Sequence, residues 1–187
     1  MDIIEKFLTV NQWSRPGRRL SACKAVILHY VGIPNQKALS VWTYFERDCP
    51  RIPKHSSAHY IIDLTGEIYH AVPDNEVAYH CGSTHYTDWA RKKFGQYVSD
   101  PTRNSPNNCT LGIELCIDKE GNFPVKTLGA AVELTAKLLL NNNLNTEDIG
   151  HHNLVVGWKD CPLPWVKNNE LFEDFKDQVR EKLGVLV

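Results

Sequence analysis

The chain has 187 residues, 42% hydrophobic and 23% charged, enough for one folded domain with a sizeable core and unlike the composition of a disordered segment. With 21 Lys and Arg against 22 Asp and Glu its net charge is −1, and no basic run or stripe marks a nucleic-acid partner. No apolar stretch approaches the roughly 20 residues of a membrane span. The opening MDIIEKFLTVNQWSRPGRRL also lacks the basic leader, apolar run and small-residue cleavage site of a signal peptide. The expectation is a soluble product made in the cytoplasm, which needs some other release route if it acts outside the membrane. Without a secretion signal, five of the six cysteines (Cys23, Cys49, Cys81, Cys109 and Cys116) read as reduced, packed thiols rather than disulfides. Cys161 stands apart because of its neighbours.

In chain order, Ala25 to Val31 (AVILHYV) is a short apolar run rich in β-branched residues, the pattern of a strand covered on both faces. Lys37 to Asp48 has helical apolar spacing at Leu39, Trp42, Tyr44 and Phe45 and is expected to end before Pro50. Ser57 to Val72 reads as two strands joined at a Thr65-Gly66 turn. Residues 82 to 108 are rich in Gly, Ser, Thr, Asn and Pro around a short helix at Asp88 to Tyr97, the profile of a long surface excursion that carries function. Thr110 to Ile117 is a second buried strand, and Asp118 to Asn122 a turn. Thr127 to Leu140 places apolar residues at helical spacing, and Asp148 to Leu154 is a short connecting or strand segment. Asn169 to Leu183 is a terminal amphipathic helix with Leu171, Phe172, Phe175, Val179 and Leu183 on its apolar side. Interspersed strands and helices predict a single α/β domain spanning residues 1–187, a mixed central sheet flanked by helices.

The densest chemistry lies in GHHNLVVGWKDCPLPW, residues 150 to 165. Imidazole nitrogen and thiolate are favoured zinc ligands, and a loop from His151 to Cys161 can bring both onto one ion. His29, near the end of an apolar strand where sheets present site residues, supplies a third. Two His and one Cys leave the fourth tetrahedral position to water, the pattern of a catalytic zinc. Read alone, His29 is more simply a hydrogen-bonded core histidine, and the 150–161 segment is as readily a polar loop. Glu114, in an otherwise apolar strand, is costly to bury unless paired or used. A raised pKa there suits a general acid–base group, the plain alternative being a salt-bridged structural glutamate. Asn107 and Asn108, in the polar excursion, are candidates for hydrogen bonds to a ligand.

Four blocks in order resemble the amidase-2 type of zinc N-acetylmuramoyl-L-alanine amidase, related to phage endolysins and peptidoglycan recognition proteins. They are VILHY with His29, SAHYIIDLTGEIY at 57 to 69, NNCTLGIEL at 107 to 115 and GHHNLVVGWKDCP at 150 to 162. The opening IIEKFLTVNQWSRPG is similar to the start of several phage and prophage amidases. The resemblance implies zinc held by His29, His151 and Cys161. His151 is chosen over His152 because the family's ligand stands two positions before an Asp, Glu or Asn, here Asn153. It implies Glu114 as the catalytic carboxylate and Lys159 as the cation that stabilises the oxyanion. His80, in AYHCG, matches a block near the family's substrate cleft. Some phage members carry a catalytic tyrosine where this chain has Ala58, which places it with the glutamate-using branch. The implied substrate is peptidoglycan, cut between muramic acid and L-alanine; nothing in the sequence sets an oligomeric state.

Three other readings share these residues. A non-catalytic peptidoglycan-binding module on the same fold would have lost a ligand. A thiol hydrolase would use Cys161 with His151 or His152. A structural zinc site would close with a fourth protein ligand.

Overall fold

The computed structural model describes residues 3–100 and 104–186. Its strands are β1 (Ile3–Glu5), β2 (Ala25–Tyr30), β3 (Tyr60–Ile62), β4 (Ile68–His70), β5 (Thr110–Leu115) and β6 (Ile149–His151). They form one mixed sheet in the order β1-β4-β3-β5-β2-β6. Only the β3–β4 hairpin is antiparallel; β1 joins β4, β5 joins β3, and β2 joins both β5 and β6 in parallel. The hairpin turns where expected, with Gly66 at φ +84°, a conformation that costs glycine little. β1 has no counterpart among the sequence expectations. Three residues with an exposed, charged member carry too little alternation to reveal an edge strand.

The helices are α1 (Ala38–Thr43), α2 (Cys49–Arg51), α3 (Asp88–Phe94), α4 (Gln96–Ser99), α5 (Val125–Asn141), α6 (His152–Val156), α7 (Leu163–Lys167) and α8 (Asn169–Leu186). A π-helical stretch at Tyr44–Asp48 joins α1 to α2. The helical path therefore runs through Pro50, contrary to the expected stop, because Pro50 falls in the first turn of α2, where its missing N–H is tolerated. The helix expected at 88–97 is broken at Gly95, whose φ is +53°, giving α3 and α4. Leu39 and Leu171, read as core-facing, are 48% and 47% exposed; Val41 and Phe45 fill the core beneath the first helical run, and Phe172, Phe175 and Val179 beneath α8.

Strand alternation divides the core into two layers. Val26 and Leu28 of β2, with Leu111, Ile113 and Leu115 of β5, pack against Leu134, Leu138 and Leu139 of α5 and Phe172 and Phe175 of α8. Each fully buried side chain of this size contributes about 1.5–3 kcal/mol relative to exposure. The opposite face carries Ile27 and Ala25 under α3 and α6, and Ile61 under the α1 region. His29, Gly112 and Glu114 belong to this second face by the same two-residue period. The N-terminal segment is fastened across it by Arg15, which donates to both oxygens of Glu76 at 2.8 and 2.7 Å.

Candidate metal centre and active site

β2 and β5 place His29 directly beside Glu114 in the parallel register. β6 then decides between the two adjacent histidines. Its register sets Leu28 beside His151, and so turns His151 towards the α5–α8 layer. There the His151 ring meets Phe172 edge-on at 4.7 Å between centroids, and Nδ1 accepts from the Leu154 N–H at 3.2 Å as the N-cap of α6. His152, one residue on, emerges on the site face. Its Nδ1 lies 3.0 Å from His29 Nδ1, and Cys161 Sγ lies 3.8 Å from the same atom. The donor atoms of His29, His152 and Cys161 all fall within 4.8 Å of one another, and all three residues are buried. The structure thus brings His152, not the expected His151, together with His29 and Cys161; His151 Nδ1 is engaged as a cap on the other side of the sheet.

The loop that delivers Cys161 is tied back to α6. Asn153 N–H donates to the Cys161 carbonyl at 2.8 Å and Asn153 Nδ2 to the Lys159 carbonyl at 3.0 Å. Gly157, at φ +78°, ends α6 and turns the chain. This group could hold a metal ion. Burial pushes the Cys161 thiol up to about 12, the reverse of what a cysteine nucleophile needs; a coordinated cation is what deprotonates such a thiol. That disfavours the thiol-hydrolase reading. With three protein donors converging among the described residues, the group also lacks the fourth of a closed structural site.

Glu114 is half-buried beside this group. Burial pushes its carboxyl up to about 8, with the Lys159 charge acting in the opposite sense. The same ammonium helps hold His29 and His152 well below the usual imidazole range, behind the larger effect of burial. Lys159 is exposed and lines a cavity of about 440 Å³ together with His152, Asn107, His55, Lys54 and Trp158. Ser56 is shared with a second cavity of about 210 Å³, which Glu114 lines beside Tyr30, Val31, Ile33 and Tyr44. The site is therefore bordered by a polar cavity that His152 lines and a more apolar one that Glu114 lines.

The other expected positions divide. Asn107 faces the groove, but its Oδ1 already accepts from the N–H groups of His80 and Cys81 at 3.1 and 2.8 Å, which leaves its amide nitrogen for a ligand. Asn108 does not line the groove; its Nδ2 donates to Asn104 at 3.3 Å. His80 reaches the groove wall yet is only 8% exposed, with its ring nitrogens against His29 and Thr110. Trp158, 66% exposed at the rim, and the Trp13–His55–Tyr79 row, with ring centroids 4.8 and 4.7 Å apart, were not singled out from sequence. Nothing local separates a rim aromatic from an ordinary surface one.

β2 and β5 present an imidazole and a carboxyl, and α6 with the loop after it a second imidazole and a thiol, an arrangement that could hold a metal ion beside a carboxyl group. Residues 19–164 match the family described as N-acetylmuramoyl-L-alanine amidase, amidase-2 type, and the chain belongs to that family. It is 36% identical to the N-acetylmuramoyl-L-alanine amidase CwlL of Bacillus licheniformis over 97% of this chain and 48% of that protein. It is 30% identical to the N-acetylmuramoyl-L-alanine amidase BlyA of Bacillus subtilis (strain 168) over 95% of this chain and 47% of that one. The chain thus spans about half the length of the curated relatives it matches. The catalytic domain of XlyA superposes with a TM-score of 0.73 at 23% identity, covering 96% of this chain and 99% of that one. The PlyG catalytic domain does so at 0.73 and 18%, covering 98% and 96%. These two likenesses establish the fold. No helix among the described residues is long and apolar enough to cross a membrane.

Proposed function

We propose that this chain hydrolyses the amide between N-acetylmuramic acid and the L-alanine of the peptidoglycan stem, with zinc as its metal. The observation that carries the reading is the convergence of His29, His152 and Cys161 in register with Glu114. The donor set fits the ion: two imidazole Nδ1 atoms and one sulfur are the ligand types zinc prefers, and their spacing needs no rearrangement of the sheet. When bound, zinc lowers the pKa of water and polarises an acyl oxygen.

Glu114 is placed to take a proton from the attacking water. The water oxygen bonds to the lactyl carbonyl carbon, the C–N bond breaks, and Glu114 returns the proton to the departing alanine nitrogen. A pKa near the working pH suits a group that must both accept and donate. Lys159, on the groove wall, stabilises the negative charge that grows on the carbonyl oxygen. The two cavities hold the strand on either side of the scissile bond.

The test is digestion of purified peptidoglycan with and without a chelator, followed by identification of the new ends. Free lactyl carboxyls paired with N-terminal L-alanine, lost on chelation and restored by zinc, are expected. New reducing sugar ends, or activity indifferent to chelation, would overturn the proposal. A non-catalytic binding module would retain the wall and release nothing.

A further inference from the structure

Behind His29 lies a histidine whose protonation is dictated by its own neighbours. The Thr110 hydroxyl has a single proton, and it lies 2.7 Å from the Pro106 carbonyl, which can only accept. The hydroxyl oxygen is left to accept from His80 Nε2 at 3.1 Å, with the Thr110 carbonyl a further acceptor at 3.4 Å. Nε2 of His80 therefore carries the proton and Nδ1 the lone pair. That Nδ1 stands 3.0 Å from His29 Nε2, so His29 must donate there. The proton on Nε2 leaves the lone pair of His29 Nδ1 aimed at His152 and Cys161.

We propose that His80 is a positioning residue, which fixes His29 as its Nε2–H tautomer so that Nδ1 is free to ligate the metal. The inference rests on the reading of His29, His152 and Cys161 as a metal centre. The protein also makes room for the arrangement. A Cβ at Gly112 would lie 2.6 Å from His80 Cγ, which means the imidazole rests directly on the β5 backbone. The His80 main chain is clamped by Asn107 Oδ1. Histidine ligands whose second nitrogen is oriented this way hold metal about 10–100-fold more tightly than those left free.

The experiment compares the zinc-loaded wild type with His80→Leu and His80→Asn by competition against a chromophoric chelator. His80→Leu removes the acceptor and is expected to weaken zinc about 10–100-fold. His80→Asn offers Oδ1 in place of Nδ1 and is expected to retain affinity within a few fold. In the ¹⁵N-histidine-labelled wild type, a coupling across the hydrogen bond between His29 Nε2 and His80 Nδ1 is expected. Zinc affinity unchanged in His80→Leu, an Asn variant as weak as the Leu variant, or absence of that coupling overturns the inference. Should the Leu variant fail to fold, the coupling and the Asn variant decide. A wild type that binds no zinc removes the metal-centre reading as well; one that binds it irrespective of residue 80 removes only this inference.

Discussion

His29 and Glu114 are direct neighbours across the parallel β2–β5 pair. One register thus sets the distance between an imidazole and a carboxyl of the proposed site, and a one-residue slip of either strand would turn its own residue to the α5–α8 layer. Rigid central strands hold such a pair more tightly than two loops could. Cys161 instead comes from a loop, which Asn153 ties back to α6.

Glu114→Gln keeps the shape of the side chain and removes its ability to take a proton. Hydrolysis of peptidoglycan should fall about 10²–10⁴-fold, the usual range for a positioned general base. Zinc content, measured by atomic emission on the dialysed protein, should stay at the wild-type level. Full activity in this variant would remove Glu114 from the chemistry.

The adjacent histidines separate by their effects. His152→Ala should abolish tight zinc binding and activity, because it removes one of the three converging donors. His151→Ala should leave zinc bound and lower the unfolding free energy by about 1 kcal/mol from the lost cap, with some further loss from the Phe172 contact. Zinc titration and urea unfolding of both variants check this. Equal loss of zinc from both would mean the strand parity has been misassigned.

That parity explains what the sequence did and did not reveal. The apolar strands, the hairpin and the two long helices were legible because burial on one or both faces writes a period into the residues themselves. The place of His152 beside His29 was not, since β6 is only three residues long and was not resolved from a connecting loop. Family spacing from Asn153 favoured His151, and Asn153 proves to brace the Cys161 loop. Had Ile149 been recognised as packed under α5 and α8, the alternation Ile149–His151 would have put His151 with it and His152 opposite. His80 offered still less: its partners Thr110 and His29 are 30 and 51 residues away, and only the folded sheet brings them together.

Gly150 tests how closely α3 sits on the sheet. A Cβ there would lie 2.7 Å from Trp89 Cη2 and 3.1 Å from Ile27 Cδ1. The indole is stiff, so Gly150→Ala should destabilise by about 1–3 kcal/mol through overpacking. Chemical unfolding measures this, and Trp89→Leu in the same background should recover part of the loss. An alanine variant as stable as wild type would show that Trp89 has room to move.

His59 gives the chain a defined acid sensitivity. Its Nδ1 accepts from the Gly112 N–H at 2.9 Å and its Nε2–H donates to the Glu76 carbonyl at 3.0 Å, so the neutral ring is fully paired. Burial lowers its pKa to about 4; Glu76 and Asp74 pull upward, and His70 pushes down. An unfolded histidine titrates near 6.5. Between those values the unfolded chain takes up a proton that the folded one refuses, so stability falls as pH falls from about 6.5 to about 4 and levels off, for this group, below that. The full loss amounts to about 3 kcal/mol. His59→Asn retains an acceptor for Gly112 but cannot titrate. Its unfolding free energy should therefore decline less steeply than the wild type's over that window, by the slope of up to one proton, as read from urea unfolding at successive pH values. Parallel curves for the two proteins would show that the His59 ring accepts its proton in the folded state as readily as in the unfolded one.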